Sequence, residues 1–238
     1  MAYRDLREYI KALEERDKLH RITAEVEKDW EIAAVCRRVF QKLAPERRPV
    51  LLFERIRGFD IPLLVGSLGA SPEVYAIALQ DRVENIHERW EQAQRHPIKP
   101  VRVSTGPCKE NILRGNDADL TRFPVPIWTV GEDPGPYLTA PCVVSREPDT
   151  GAYNVGTYRL QVKGPKKMGI WAADGQHVSR HRLKNEARNQ STPVAVVLGP
   201  DPAIEMVSVT KFSFETEEYD VSGGLRGEPV PLVACETI

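Results

Sequence analysis

Pro124-Val-Pro-Ile-Trp128, followed closely by Asp133-Pro-Gly-Pro136, keeps helix out of the middle of the sequence. Each proline removes a backbone donor and its ring clashes with the preceding turn, and Pro-Gly pairs mark turns or loops. Toward the C-terminus the same texture continues as short apolar runs broken by proline and glycine. It predicts strands at about residues 138–145, 152–163, 194–199, 204–210 and 229–235, with one helix at about 178–188. Prolines number 19 in 238 residues, and most lie beyond residue 96, as many short strands and turns require. Several strands with a single helix predict a β-barrel or sandwich rather than a doubly wound sheet.

Toward the N-terminus the pattern alternates between helix and strand. Leu6, Tyr9, Ile10 and Leu13 form one apolar helical stripe among charged neighbours, predicting a helix from about Asp5 to Arg16. Ile22, Ala24 and Val26 alternate with polar residues, the period of a half-buried strand. Asp29 is placed to cap a second helix whose stripe is Ile32, Val35, Cys36, Val39 and Phe40. Val50–Phe53 and Pro62–Val65 read as short buried strands, Ser71-Pro72-Glu73 as the start of a third helix, and Val83 to Gln94 as a charged helix. The expected class is α+β, with an α/β lobe over residues 1–96 and a strand-rich domain over 97–238.

Composition narrows the function classes. With 41% hydrophobic and 28% charged residues the chain is an ordinary globular protein, not a disordered one. A net charge of −1 supplies no overall field for nucleic acid or an anionic membrane. No apolar run approaches the roughly 20 residues of a membrane span, and the charged opening Met1-Ala-Tyr-Arg-Asp5 lacks a secretory pattern, so a cytoplasmic protein is expected. Cys36, Cys108, Cys142 and Cys235 form no Cys-x-x-Cys pair and read as isolated thiols.

Spacing alone leaves the chemistry open. Gly66-Ser-Leu-Gly69 lacks the remainder of a dinucleotide or P-loop fingerprint and reads as a strand-to-helix turn. His177 and His181 share a helix face, but no Glu follows the first, and His181 reads as a plain exposed helix residue. Glu215, Glu217, Glu218 and Asp220 read as a solvated acidic loop, and no Ser-His-Asp or Cys-His arrangement stands out.

Resemblance goes further. Asn154-Val-Gly-Thr-Tyr-Arg159, Gly175-Gln176-His177, Glu217-Glu-Tyr-Asp-Val-Ser-Gly-Gly-Leu-Arg-Gly-Glu228 and Val233-Ala-Cys-Glu-Thr237 resemble, in order, the signature segments of the UbiD family of decarboxylases, which use prenylated FMN. The opening Asp5-Leu-Arg-Glu-Tyr9 and the strand Pro49-Val-Leu-Leu-Phe-Glu54 agree, so the similarity runs over essentially the whole chain. It implies a split β-barrel, resembling flavin reductases, after the small α/β lobe. It also implies that Asn154, His177 and Glu218 hold a divalent ion, Mn²⁺ or Mg²⁺, together with the cofactor phosphate, while Thr157, Tyr158, Arg159 and Gln176 line the flavin. An amide oxygen, an imidazole and a carboxylate suit a six-coordinate hard cation. Arg159 becomes the catalytic candidate, its forked donors matched to a substrate carboxylate. The backbone around Val207, Ser208 and Thr210 resembles a segment that holds K⁺ in some members.

The implied activity is reversible, non-oxidative decarboxylation of an aromatic or α,β-unsaturated carboxylic acid, with a flavin prenyltransferase supplying the cofactor and a homo-oligomer as the complete protein. The resemblance puts the family's acid pair and C-terminal oligomerisation domain beyond residue 238, so turnover by this chain alone is not expected. A shortened piece, a partial subunit completed by another chain, and a stand-alone cofactor-binding domain remain open. So does a flavin-binding carrier or a structural subunit without decarboxylase activity. Asn154 and Arg159 are five apart and would face opposite sides of a regular strand, which predicts a bulge or irregularity near Gly156.

Overall fold

The computed structural model describes residues 2–235 and 238. Its N-terminal part runs α1 (Leu6–Glu14), β1 (Leu19–Ile22), α2 (Glu31–Lys42), β2 (Val50–Phe53), β3 (Leu63–Val65), α3 (Pro72–Leu79) and α4 (Ile86–Arg95). Asp5 caps α1, its carboxylate accepting from the Glu8 N–H at 3.1 Å, and the apolar stripe buries Tyr9 and Leu13. β1 pairs parallel with β2, and β2 antiparallel with β3. All four residues of β2 are buried, which explains its unbroken apolar run. The first strand lies earlier than alternation at Ile22, Ala24 and Val26 suggests: β1 ends at Ile22, and Val26 makes an isolated bridge to Ile56. Nor does Asp29 cap α2. Trp30 holds that position, and the Asp29 carboxylate instead accepts from the Ile127 N–H at 3.2 Å, tying the proline-rich segment to the first lobe. β3 is half-buried rather than buried, and a short 3-10 turn over Val83–Asn85 precedes α4 where one continuous helix was expected.

The remainder runs β4 (Val101–Val103), β5 (Tyr137–Leu138), β6 (Cys142–Arg146), β7 (Tyr153–Thr157), β8 (Leu160–Gly164), β9 (Lys167–Ile170), α5 (His177–Glu186), β10 (Val194–Val197), α6 (Pro202–Ser208), α7 (Glu218–Arg226) and β11 (Pro231–Val233). Its described strands form three small open sheets, β10-β6-β7, β5-β8-β9 and β11-β4; none closes into a barrel. The α+β class holds, but the helix content of this half is higher than the sequence pattern indicates. Residues 204–210, expected as a strand, begin inside α6, because Asp201 caps the helix by accepting from the Ala203 and Ile204 N–H groups and Pro202 occupies its first turn. The acidic run is not a solvated loop at its end: Glu218 and Asp220 form the first turn of α7, where acids favour the positive end of the helix dipole. The expected strands 138–145 and 152–163 each break in two, at Pro141 and at Tyr158-Arg159.

β6 and β7 sort their neighbours by alternation. On one face Val143 packs with Tyr158, Leu160 and Val178 of α5. On the other, Cys142, Val144 and Val155 pack with Tyr219 of α7. The largest core crosses the division at residue 96, joining Tyr9, Leu13, Val50 and Val74 to Met206, Val207, Val221 and Leu225. Beside it the Arg226 guanidinium, only 4% exposed, pairs with Asp201, so the cap of α6 is also the counter-ion of α7. Among the described residues no helix is long and apolar enough to cross a membrane.

Gly223 and Gly224 lie inside α7, where glycine ordinarily costs about 1 kcal/mol relative to alanine. Here they let the helix press against the last turn of α4 and the chain leaving it: a Cβ at Gly223 would sit 2.2 Å from the Ile98 carbonyl oxygen, and one at Gly224 2.7 Å from that of Ala93. Gly223→Ala is therefore expected to destabilise the protein by about 1–3 kcal/mol despite its better helix propensity, read as a lower urea midpoint; an unchanged or higher midpoint contradicts this close approach.

Candidate cofactor and metal site

The site grows from an unpaired strand edge. β7 pairs with β6 on one side only, so the N–H groups on its other side need partners. Carboxylates meet them: Tyr153 N–H donates to Glu217 Oε2 at 3.4 Å, and Val155 N–H donates to Glu218 Oε2 at 3.1 Å. This docks the start of α7 beside Asn154. The start of α5 arrives at the same point, with His177 Nδ1 3.5 Å from Glu218 Oε1. Each is the first residue of its helix, and neither helix has a side-chain cap at its N-terminus. Two uncapped helix starts in contact present N–H groups and positive dipole ends together, the arrangement that receives a phosphate.

The donor set fits a divalent cation. Asn154 is 4% exposed, and its Nδ2 has no hydrogen-bonding partner; a half-turn of the amide puts an oxygen in that position instead. Burial, followed by the nearby Arg180 charge, holds His177 below the usual imidazole range. Burial pushes Glu218 up to about 7, against the pull of the backbone N–H groups that it accepts from. At neutral pH the close pair is therefore a largely neutral imidazole beside a carboxyl group that is only partly ionised, not a fixed ion pair, and a cation bound there would displace the carboxyl proton. Among the described residues no three of His, Cys, Asp and Glu converge, so a cation here would need the Asn154 amide as a further donor.

Other expected site residues divide. Tyr158 belongs with this group: its phenol, raised chiefly by burial, lies against the Asn154 side chain and the Glu218 charge. Its ring folds back over Gly156, where a Cβ would fall 2.5 Å from Tyr158 Cε2. Gln176 precedes His177, but its Oε1 accepts from the Ala173 N–H at 2.7 Å. Thr157 leaves the group: its hydroxyl is on the opposite face, 2.7 Å from Ser208 Oγ. Arg159 is exposed, its guanidinium carbon 5.2 Å above the Tyr137 ring. Val207, Ser208 and Thr210 sit at the carbonyl end of α6, where the Val207 carbonyl accepts from the Thr210 N–H at 3.1 Å.

Two expectations need correction. There is no bulge at Gly156; β7 keeps regular register with β6 through Thr157, and the departure that separates Asn154 from Arg159 is the strand break at Tyr158-Arg159. His181 is not exposed. It is 5% accessible and its Nδ1 lies 2.9 Å from the Ser145 hydroxyl, because α5 packs its His177–His181 face onto β6. Sequence reasoning also missed Phe214, whose ring is 4.1 Å from His177 on one side while the Arg180 guanidinium carbon lies 3.5 Å away. Its place in the loop before Glu218 gives no periodic signal. Glu236 and Thr237, in the last resembling segment, lie outside the described residues.

Comparison with known proteins gives the family. Residues 10–93 match the 3-octaprenyl-4-hydroxybenzoate carboxy-lyase N-terminal domain, and residues 99–238 match the Rift-related domain of the same carboxy-lyase. The chain belongs to the UbiD family. This UbiD chain is 33% identical to a phenolic acid decarboxylase of Streptomyces sp. (strain D7) and 31% to one of Escherichia coli O157:H7, in each case over 99% of its own length and 51% of the relative's. It superposes with a TM-score of 0.89 and 34% identity on the UbiD-class enzyme HmfF of Pelotomaculum thermopropionicum in complex with FMN, over 98% of this chain and 51% of that one. For an evolved dimeric form of HmfF in complex with prenylated FMN the TM-score is 0.90 at 33% identity, over 99% of this chain and 54% of that one. The chain thus spans about half the length of the relatives that it matches.

In this UbiD chain, Gly156→Ala is expected to drive the Tyr158 ring out of its seat and cost about 1–3 kcal/mol. Adding Tyr158→Ala should then cost less than Tyr158→Ala does alone, a coupling that a double-mutant cycle of urea midpoints measures; strictly additive losses would refute the contact.

Proposed function

We propose that this chain is the cofactor-binding part of a UbiD-type carboxy-lyase, one that removes CO₂ from an aromatic or α,β-unsaturated carboxylic acid without net oxidation. The observation that carries this reading is the meeting of His177 and Glu218, at the first residues of two uncapped helices, beside the buried Asn154. In this reading residues 97–238 are a split-barrel domain and residues 1–96 a lobe packed against it. Asn154, His177 and Glu218 hold Mn²⁺ or Mg²⁺, and the two helix starts hold the phosphate of prenylated FMN. Tyr158 and Gln176 border the flavin, and the carbonyls near Val207, Ser208 and Thr210 accept K⁺. Bound prenylated FMN would supply the electron sink for loss of CO₂. The chain's own residues bind and orient. Arg159, exposed and needing no counter-ion to leave, offers two parallel donors to a substrate carboxylate, while Phe214 and Arg180 close over His177 and limit water at the cation.

The names of the relatives support a phenolic acid as substrate class. A flavin prenyltransferase as cofactor source, a homo-oligomer as the complete protein and a cytoplasmic location belong to the same proposal, with no role for nucleic acid or membrane.

The deciding experiment is an absorbance spectrum and metal analysis of the chain produced together with a flavin prenyltransferase, expected to show bound flavin and near-stoichiometric Mn²⁺ or Mg²⁺. His177→Ala and Glu218→Ala are each expected to weaken Mn²⁺ retention at least about tenfold; the urea midpoint should change little for His177→Ala, whereas Glu218→Ala should also lower it, because the buried Val155 N–H loses its acceptor. Arg159→Ala should spare metal binding and impair substrate handling in the complete enzyme. Parent-like retention by either His177→Ala or Glu218→Ala would remove the ligand assignment.

A further inference from the structure

The cation site uses Asn154 and His177 but leaves unexplained the polar pair directly behind them. His181 lies one turn past His177 on the same face of α5, and Ser145 is the ladder partner of Asn154 across β6 and β7. Opposed residues on an antiparallel ladder share a face with Cβ atoms about 4.5–5.5 Å apart, and helix residues four apart are stacked one above the other. The Ser145 hydroxyl and His181 Nδ1 meet at 2.9 Å, with Ser145 fully buried and His181 nearly so. On the same sheet face Val143 of β6 packs with Val178 of α5 and with Tyr158. Apolar packing of this kind resists separation but is non-directional, so α5 could rotate or slide slightly over the sheet at little cost. A buried hydrogen bond has one good geometry, and its loss leaves both groups unpaired.

We infer that the Ser145–His181 hydrogen bond is a positioning device for the cation site, setting the rotation and height of α5 over β6 and β7 so that His177 meets Asn154 and Glu218. The inference rests on the reading of that site as a cation site. Neither residue is a ligand in this arrangement: His181 lies one turn past His177 on α5 and Ser145 lies on β6 opposite Asn154, so the pair ties the helix that carries one ligand to the strand paired with the one that carries another. Elsewhere, groups that orient metal ligands typically change affinity by about 10–100-fold when removed, without touching the ion.

The test is titration of Mn²⁺ into the 238-residue chain in the presence of FMN, followed by the electron paramagnetic resonance signal of free Mn²⁺, with a urea midpoint for every variant. Ser145→Ala and His181→Ala are expected to weaken Mn²⁺ binding about 10–100-fold. His181→Asn, whose amide places a polar atom where Nδ1 stood, should recover most of the affinity. Asn185→Ala removes another buried contact of α5, the 3.0 Å bond from Asn185 Nδ2 to Thr192 Oγ1; it should lower the midpoint yet bind Mn²⁺ like the parent. If an alanine variant does not fold, Ser145→Cys, which keeps the packing and weakens the bond, supplies the same comparison. The inference is overturned if Ser145→Ala and His181→Ala bind Mn²⁺ as tightly as the parent while His177→Ala does not. It is equally overturned if affinity simply follows stability across all variants, Asn185→Ala included. Parent-like binding by His177→Ala would instead remove the cation site itself.

Discussion

The open edge of β7 is the constraint on which the candidate site depends. A strand paired on one side must find acceptors for the N–H groups on the other, and here they are the carboxylates of Glu217 and Glu218. Because those acids open α7, satisfying the strand also fixes where the helix begins. Because α7 in turn packs through Gly223 and Gly224 against the last turn of α4 and the chain leaving it, the position of Glu218 is anchored from both ends. Backbone hydrogen bonding thus brings a carboxylate, which by its charge alone would stay in water, into a buried place.

That placement has an electrostatic cost. Glu218 is held at about 7 and His177 below its usual range, both chiefly by burial, and among the described residues no lysine or arginine is bonded to the carboxylate to relieve it. A buried acid beside a neutral imidazole and an amide nitrogen without a partner is a poor way to stabilise a fold. It suits the proposed cation site, where a bound ion would restore what each group gave up on leaving water. The Arg226–Asp201 pair shows the contrast: there the buried charges neutralise each other, and the pair links α6 to α7.

Much of the fold was legible wherever a signal was local. The stripe of α1, the buried run of β2 and the Ser71-Pro72 start of α3 each depend on a few neighbouring residues, and the structure follows them. Signals that were equally local but outvoted were misread. Asp201-Pro202 is a clear helix start, yet the apolar residues after it resemble a strand because α6 is short and buried on most of its surface. The acidic segment looked solvated because its composition is polar, while the partners that draw in Glu218 lie 63 residues away at β7.

For the site, ordered motifs were enough to single out Asn154, His177 and Glu218 and to suggest the family, since residue identity survives in sequence whatever the chain does in space. Which of their neighbours share the site was decided by tertiary structure alone. Thr157 and Asn154 are three apart, yet strand alternation and the packing of α6 send Thr157 to the opposite face. His181 carries the same helical phase as His177, and only the docking of α5 on β6 turns it from a surface residue into a buried partner of Ser145. Periodicity states that an element has two sides; what covers each side is settled by contacts between residues far apart in the chain, and no window of sequence contains them.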